Sequence, residues 1–266
     1  MDYIIVAITV IFGAGLTFFS GFGLGTIMLP VFCLFFDVPT AVGATAIVHL
    51  ANNLFKFVLV SKYIHFSTLW RFGIPAAIFG AVGGFLLGKI DRVPILHTYE
   101  LGDQTFEVTT IKVVVGCLMI FFAIFDLSPK LSNLNIDKKY LPLGGVLSGF
   151  FGGVSGHQGA FRATFLAKSG LTKEQFIGTS NAVSLGVDVA RLIAYFTAAA
   201  YLVGENKFQA ALTSGQGLLA TGILFAFLGT FLGKQLVKKT TIHGIQRTVG
   251  VMLVLMGILM IAGILT

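Results

Sequence analysis

Apolar residues gather into ten stretches of the chain, at 3–19, 24–36, 40–61, 70–88, 109–127, 140–155, 158–170, 174–203, 212–236 and 246–265. A bilayer core about 30 Å thick takes roughly 20 helical residues to cross, so the long stretches predict transmembrane helices. Those at 24–36 and 158–170 are too short to cross alone at about 1.5 Å per residue. Each follows a glycine-rich interruption, Ser20-Gly21-Phe22-Gly23-Leu24-Gly25 in one case and Gly152-Gly153-Val154-Ser155-Gly156-His157-Gln158-Gly159 in the other. Each interruption predicts a helix broken inside the membrane.

The two interruptions belong to a longer repeat. At an offset of 135, Ser20-Gly21 lies over Ser155-Gly156, Gly43-Ala44-Thr45 over Gly178-Thr179-Ser180, Asn53 over Asp188 and Lys56 over Arg191. At an offset of 145, Gly84, Gly88 and Lys89 lie over Gly229, Gly233 and Lys234, and at 134 Val115-Gly116 lies over Val249-Gly250. The expected organisation is a first transmembrane repeat over 1–127, a cytoplasmic linker over 128–139 and a second, inverted repeat over 140–266. The fold class is an all-α polytopic membrane protein, each repeat a glycine-broken helical hairpin plus three transmembrane helices.

Composition agrees: 56% of the 266 residues are hydrophobic and 11% charged, with a mean hydropathy of +0.92. No water-soluble core absorbs that much apolar surface, which sets aside a soluble enzyme, a disordered chain and a disulfide scaffold. Cys33 and Cys117 sit within apolar runs and read as packing residues. Asp2 and the lack of a basic start argue against a cleaved signal peptide. The net charge of +7 reads as loop lysines and arginines collected on the cytoplasmic side rather than as a nucleic-acid surface. With the N-terminus outside, the inner loops carry eleven Lys and Arg and the outer loops four, namely Lys89, Arg92, Lys112 and Lys207. That asymmetry predicts both termini outside. An odd number of crossings per repeat makes the two copies antiparallel. Re-entrant hairpins and short tilted spans give the same loop sides, so charge leaves both open.

Three basic residues remain within the apolar pieces, Lys56, Arg162 and Arg191, against one acid, Asp188. An ionisable group at membrane depth costs about 2.5–3.5 kcal/mol on insertion scales, so it should face a partner or a cavity. The positive excess points to an anion. Thr45, His49, Asn52 or Asn53, and Lys56 fall on one helix face, as do Ser180 or Asn181, Ser184, Asp188 and Arg191. Bland readings stand beside this one. Asp188 and Arg191 can pair one turn apart, Lys56 can snorkel towards Lys62 and Arg162 towards Lys168, and the remaining polar groups can join helices.

The breaks have a mechanism of their own. A helix interrupted in the membrane directs backbone N–H groups and a positive dipole end inward, which suits an anion. In the second copy Ser155, His157 and Gln158 add donors and Arg162 follows. The first copy supplies Gly21, Gly23 and Gly25 with Ser20, so an asymmetric site is expected. Tight helix packing is the alternative use of such glycines. His49, His157 and Asp188 are the proton-coupling candidates. Gly153-Val154-Ser155-Gly156 matches the Gly-x-Ser-Gly of rhomboid proteases, but the only histidine after His157 is His243, in a basic loop. No enzymatic activity, metal site or cofactor is expected.

The two breaks, the Leu29-Pro30 that follows the first, Gly43-Ala44-Thr45 with Gly178-Thr179-Ser180, and the glycine helices ending at Lys89 and Lys234 resemble the TauE/SafE sulfite exporter family. The resemblance spans nearly the whole chain. It implies a secondary transporter of the bacterial inner membrane that exports sulfite or organosulfonates such as sulfoacetate, by alternating access and with an ion gradient. A passive small-anion channel is the alternative, and a homo-oligomer is open. The positions it carries over are Ser20, Gly21, Gly23 and Gly25, and Ser155, Gly156, His157, Gln158 and Gly159. His157 and Gln158 stand where the family more usually has glycines. Together with Arg162, Asn52, Asn53, Asn181 and Arg191 these form the expected substrate site.

Overall fold

The computed structural model describes residues 1–20, 24–90, 95–128, 136–167, 169–198, 210, 212–236 and 242–265. Each apolar stretch is a helix. In the first half they are α1 (Asp2–Ser20), α2 (Leu24–Phe32), α3 (Val38–Val60), α4 (Ile74–Ile90) and α5 (Thr110–Leu127); in the second, α6 (Leu141–Ser155), α7 (Gly159–Ala167), α8 (Lys173–Ala198), α9 (Gln216–Leu236) and α10 (Ile242–Ile261). Val38–Tyr63, Phe66–Ile90 and Gln216–Gly233 are long and apolar enough to cross a bilayer, with shorter apolar helices at Asp2–Gly15, Thr110–Phe125 and Gly250–Ile261. The protein is an all-α multi-pass membrane protein. Its two nine-residue helices, α2 and α7, are the short pieces beside the glycine breaks.

Local chemistry explains the boundaries. Thr109 caps α5 by accepting from Lys112 N at 3.3 Å, and prolines occupy the first turns of α3 and α6, where a missing N–H leaves no helix bond unmade. Gly156 ends α6 in the left-handed region (φ 79°), its N–H donating to Gly152 O at 2.9 Å. A side chain there would be strained, so glycine sets the break. A π-turn at Leu69–Gly73 leads into α4.

The helices are apolar outside and polar inside. Ile4, Ile8 and Phe12 line the exposed face of α1, and Leu224, Leu228 and Phe231 that of α9, whereas Asn52, Asp188 and Arg191 are fully buried. That inversion suits a lipid solvent. Packing crosses between the halves: α1 lies on α9, α4 on α6, α5 on α10, and α3 on α8. Exchanging each helix for its counterpart five places on maps this set onto itself. Glycines let three of these pairs approach backbone to backbone. A Cβ at Gly15 would lie 3.1 Å from Gly229 O, one at Gly83 would lie 3.1 Å from Gly153 Cα, and one at Gly116 would lie 2.8 Å from Gly257 O.

One element was not expected. Residues predicted as an outer loop form an antiparallel hairpin, β1 (Ile95–Leu101) and β2 (Gln104–Thr109), with Leu101 facing Gln104 across Gly102-Asp103. Gly102 takes φ 65° at the first turn position, as a two-residue hairpin loop requires. The hairpin is tied to the residues after α10: Tyr99 donates to Ala262 O at 2.6 Å, and Lys112 Nζ, from the first turn of α5, bridges Glu107 O of β2 at 3.1 Å and Gly263 O at 3.3 Å.

Candidate functional site

Asp188 stands at the centre of a cluster drawn from α3, α6, α7 and α8. Its Oδ2 accepts from Asn53 Nδ2 at 2.7 Å and lies 2.7 Å from His49 Nδ1. Oδ1 accepts from Gln158 Nε2 at 3.0 Å and lies 2.8 Å from Arg191 Nη2 in an ion pair. Three hydrogen-bonding nitrogens and an ion-paired guanidinium therefore surround one carboxylate, as a buried charge requires. Asn53 spends its second amide proton on Ser184 Oγ at 3.0 Å, so the short His49 contact calls for the tautomer with hydrogen on Nδ1. Asn53 Oδ1 accepts from Asn181 Nδ2 at 3.2 Å.

Arg162, from the first turns of α7, approaches the same centre from the other side. Its Nε donates to Ser180 Oγ at 2.8 Å, and Nη1 donates to Gln158 Oε1 at 2.9 Å and to Ser184 Oγ at 3.1 Å. These acceptors are neutral. Gln158, in the break itself, thus joins Arg162 to Asp188 through the two ends of one amide. Ser148 holds the backbone of the break by donating to Gln158 O at 2.7 Å. Arg162 and Arg191 are each at most 2% exposed, as is Asp188, so among the described residues two buried guanidiniums stand against one buried carboxylate.

The last turn of α6 is held against α8. Arg191 Nη1 donates to Gly152 O at 3.1 Å, and the Tyr195 hydroxyl donates to Gly153 O. Helix α2 arrives at the same place: a Cβ at Gly25 would lie 3.4 Å from Gly156 O and 3.7 Å from His49 Cδ2. The start of α2 and the break after α6 therefore meet beside His49. Gly159 opens α7 and is buried. Ser20 ends α1, and Gly21 and Gly23 lie outside the described residues.

Not every expected residue joins the cluster. His157 turns to α5, its ring stacked on Phe122 at 5.3 Å with Nδ1 3.1 Å from Ser155 Oγ, and its buried Nε2 has no partner. Asn52 turns to α9 and accepts from Thr230 at 2.7 Å, while its Nδ2 is likewise unpartnered. Lys56 is half-buried one turn beyond Asn53. Arg162 does not snorkel but lies inward, and Asp188 and Arg191 do pair along α8. Tyr195, Ser148, Thr230 and Phe122 were missed. Of these only Tyr195 had a local signal, one turn after Arg191 on the same face of α8. Among the described residues no three His, Cys, Asp or Glu side chains form a metal-binding group.

A multi-pass helical membrane protein with a closed, cationic polar centre at broken helices has the build of an anion transporter. The sequence matches the family model Sulfite exporter TauE/SafE over residues 5–260. The chain belongs to that family, a family of membrane transporters of sulfite and related anions rather than of enzymes. Neither the curated proteins nor the solved structures gave a match.

Proposed function

We propose that the protein is a secondary transporter that exports a small sulfur oxyanion or organosulfonate, sulfite or sulfoacetate, across the bacterial inner membrane. The observation that carries this reading is that, among the described residues, two buried guanidiniums, Arg162 and Arg191, face one buried carboxylate, Asp188, at the break between α6 and α7. The anionic head would bind at Arg162 and Gln158, with Arg191, Asn53, Asn181, Ser155 and the glycines of both breaks framing it. His157 and Asn52, whose Nε2 and Nδ2 lack partners, would complete the site after rearrangement. His49 and Asp188 would carry the coupled proton.

Two inverted repeats, 1–127 and 140–266, would supply alternating access. The self-matching pairing of α1 with α9 and α4 with α6 supports them. Because glycine seams join helices of opposite halves, the movement would run between these cross-half pairs. The burial of Arg162, Asp188 and Arg191 favours a carrier with a closed centre over an open channel. Reconstituted protein should therefore show saturable sulfite or sulfoacetate flux that accumulates substrate against its gradient when a proton gradient is imposed. Flux that merely dissipates a gradient would make it a channel.

The loop charges support both termini outside. In cells, Asp103→Cys should react with an impermeant maleimide added from outside, and Lys239→Cys only after permeabilisation. The opposite pattern would invert the orientation and with it the direction assigned to export.

A further inference from the structure

Gln158 presents one amide to two charges. Its Oε1 accepts from Arg162 Nη1 at 2.9 Å while its Nε2 donates to Asp188 Oδ1 at 3.0 Å. We propose that this amide couples anion binding at Arg162 to uptake of one proton by the His49–Asp188 pair, so that anion and proton are carried together and export runs on the outward anion gradient. The proposal rests on the transport reading above and supplies its coupling step.

The argument follows the donors. Arg162 Nε and Nη1 donate to neutral oxygens on Ser180, Ser184 and Gln158, and an anionic oxygen is the stronger acceptor for a guanidinium. An anion settling on Nη1 displaces Gln158 Oε1. The freed amide then turns its NH2 to the new anion, because an oxygen facing it would be repelled. That same NH2 is the donor at Asp188 Oδ1, and turning the amide carries it away from the carboxylate and leaves the amide oxygen facing Oδ1 instead. Asp188 loses one of its three hydrogen-bond donors and gains a second negative charge nearby, and both changes favour its protonated form. His49 stands 2.7 Å from Oδ2 with its proton on Nδ1; as Nδ1 passes that proton to the carboxylate, Nε2 takes one up, so the ring stays neutral and the pair gains one proton. The balance is one anion and one proton taken up, with no bond broken other than N–H and O–H.

The charged and titratable groups around the pair are few. Arg191 and Tyr195 face it from α8, Arg162 from α7, and Lys56 stands about two turns beyond His49 on α3. Helix α6 has no ionisable side chain other than its N-cap Tyr140, and the only one on α4, Lys89, is exposed at the far end of that helix. On the turns ahead of α4, Lys62 and Arg71 are exposed, and His65 is tied to Thr68 and Thr179 near the opposite end of α8. The other carboxylate on the described residues of these elements, Glu174, is exposed in the first turn of α8, far from the pair, so it does not compete for the proton.

By reciprocity, acidification must tighten anion binding as much as anion binding draws in protons. Full-length protein in nanodiscs, titrated with methanesulfonate, whose charge is fixed across the range, tests this between pH 5 and 8. One proton per anion gives an affinity that tightens about tenfold for each pH unit lowered, with matching proton uptake from a weakly buffered solution. Gln158→Ala should bind more weakly, with a flat pH profile and no proton uptake. Asp188→Asn should also lose both the pH slope and the uptake. A purely structural Gln158 would weaken binding and keep the slope, which would overturn the proposal. So would a wild-type protein that binds without taking up protons, and that result leaves the transport reading standing. Failure of sulfite and methanesulfonate to bind wild type or either variant at any pH would overturn both.

Discussion

Arg162→Ala should abolish transport while leaving a folded protein. The guanidinium supplies the excess charge of the deep cluster, and without it Arg191 and Asp188 cancel as the i,i+3 ion pair at 2.8 Å. Removing one partner of a buried charged contact costs about 2–5 kcal/mol, which is roughly thirtyfold to several-thousandfold in affinity. The acceptors left behind among the described residues, Ser180, Ser184 and Gln158, are neutral and lose a donor without baring a charge, so the fold should survive. Arg162→Lys keeps the charge without the planar fork and should recover part of the affinity. Sulfite binding and proteoliposome flux, measured on protein that elutes as a single species in detergent, check this. A Arg162→Ala variant with wild-type affinity would move the anion site away from α7.

How far this centre could be read from sequence depended on cost. Arg162, Asp188 and Arg191 stood out because a charge within an apolar stretch is expensive and must have a partner. The stripe His49, Asn53 and its counterpart Ser184, Asp188 also emerged, since residues three and four apart share a helix face. What sequence left undecided was the choice between adjacent residues. Asn52 and Asn53 point about 100° apart on α3, and packing sends the first to Thr230 on α9 and the second to Asp188 on α8. His157 and Gln158 part in the same way, one onto Phe122 and the other between two charges. These partners lie far away in the chain, where periodicity carries no information. The hairpin at Ile95–Thr109 is a different matter: Gly102-Asp103 between Tyr99-Glu100-Leu101 and Gln104-Thr105-Phe106 is a local turn signal, and the charge count of the loop drew attention from it.

Glycine seams should be the most sensitive part of the fold, and Gly149→Val should yield little or no folded protein. Gly149 lies on α6 where it crosses α4, and a Cβ there would stand 2.7 Å from both the carbonyl carbon and the Cα of Ala76. Both atoms are backbone, so no rotamer change relieves the clash and the helices must separate. Overpacking a close contact costs about 1–3 kcal/mol where side chains can shift, and a rigid backbone neighbour places this site at or above the upper end. Separation would also pull Gly153 and Gly152 from Tyr195 and Arg191, since those carbonyls lie one turn further along α6, so whatever protein does fold should bind anions poorly. Gly186 supplies the control: it is a glycine on α8 with nothing within 4 Å of an added Cβ, and Gly186→Ala should match or slightly exceed wild-type thermal stability, because alanine is the better helix former by about 1 kcal/mol in water. Thermal unfolding followed by fluorescence size exclusion separates the two cases. Equal midpoints for Gly149→Val and Gly186→Ala would mean that α4 and α6 are not in backbone contact, and the mechanical unit inferred from their seam would go with it.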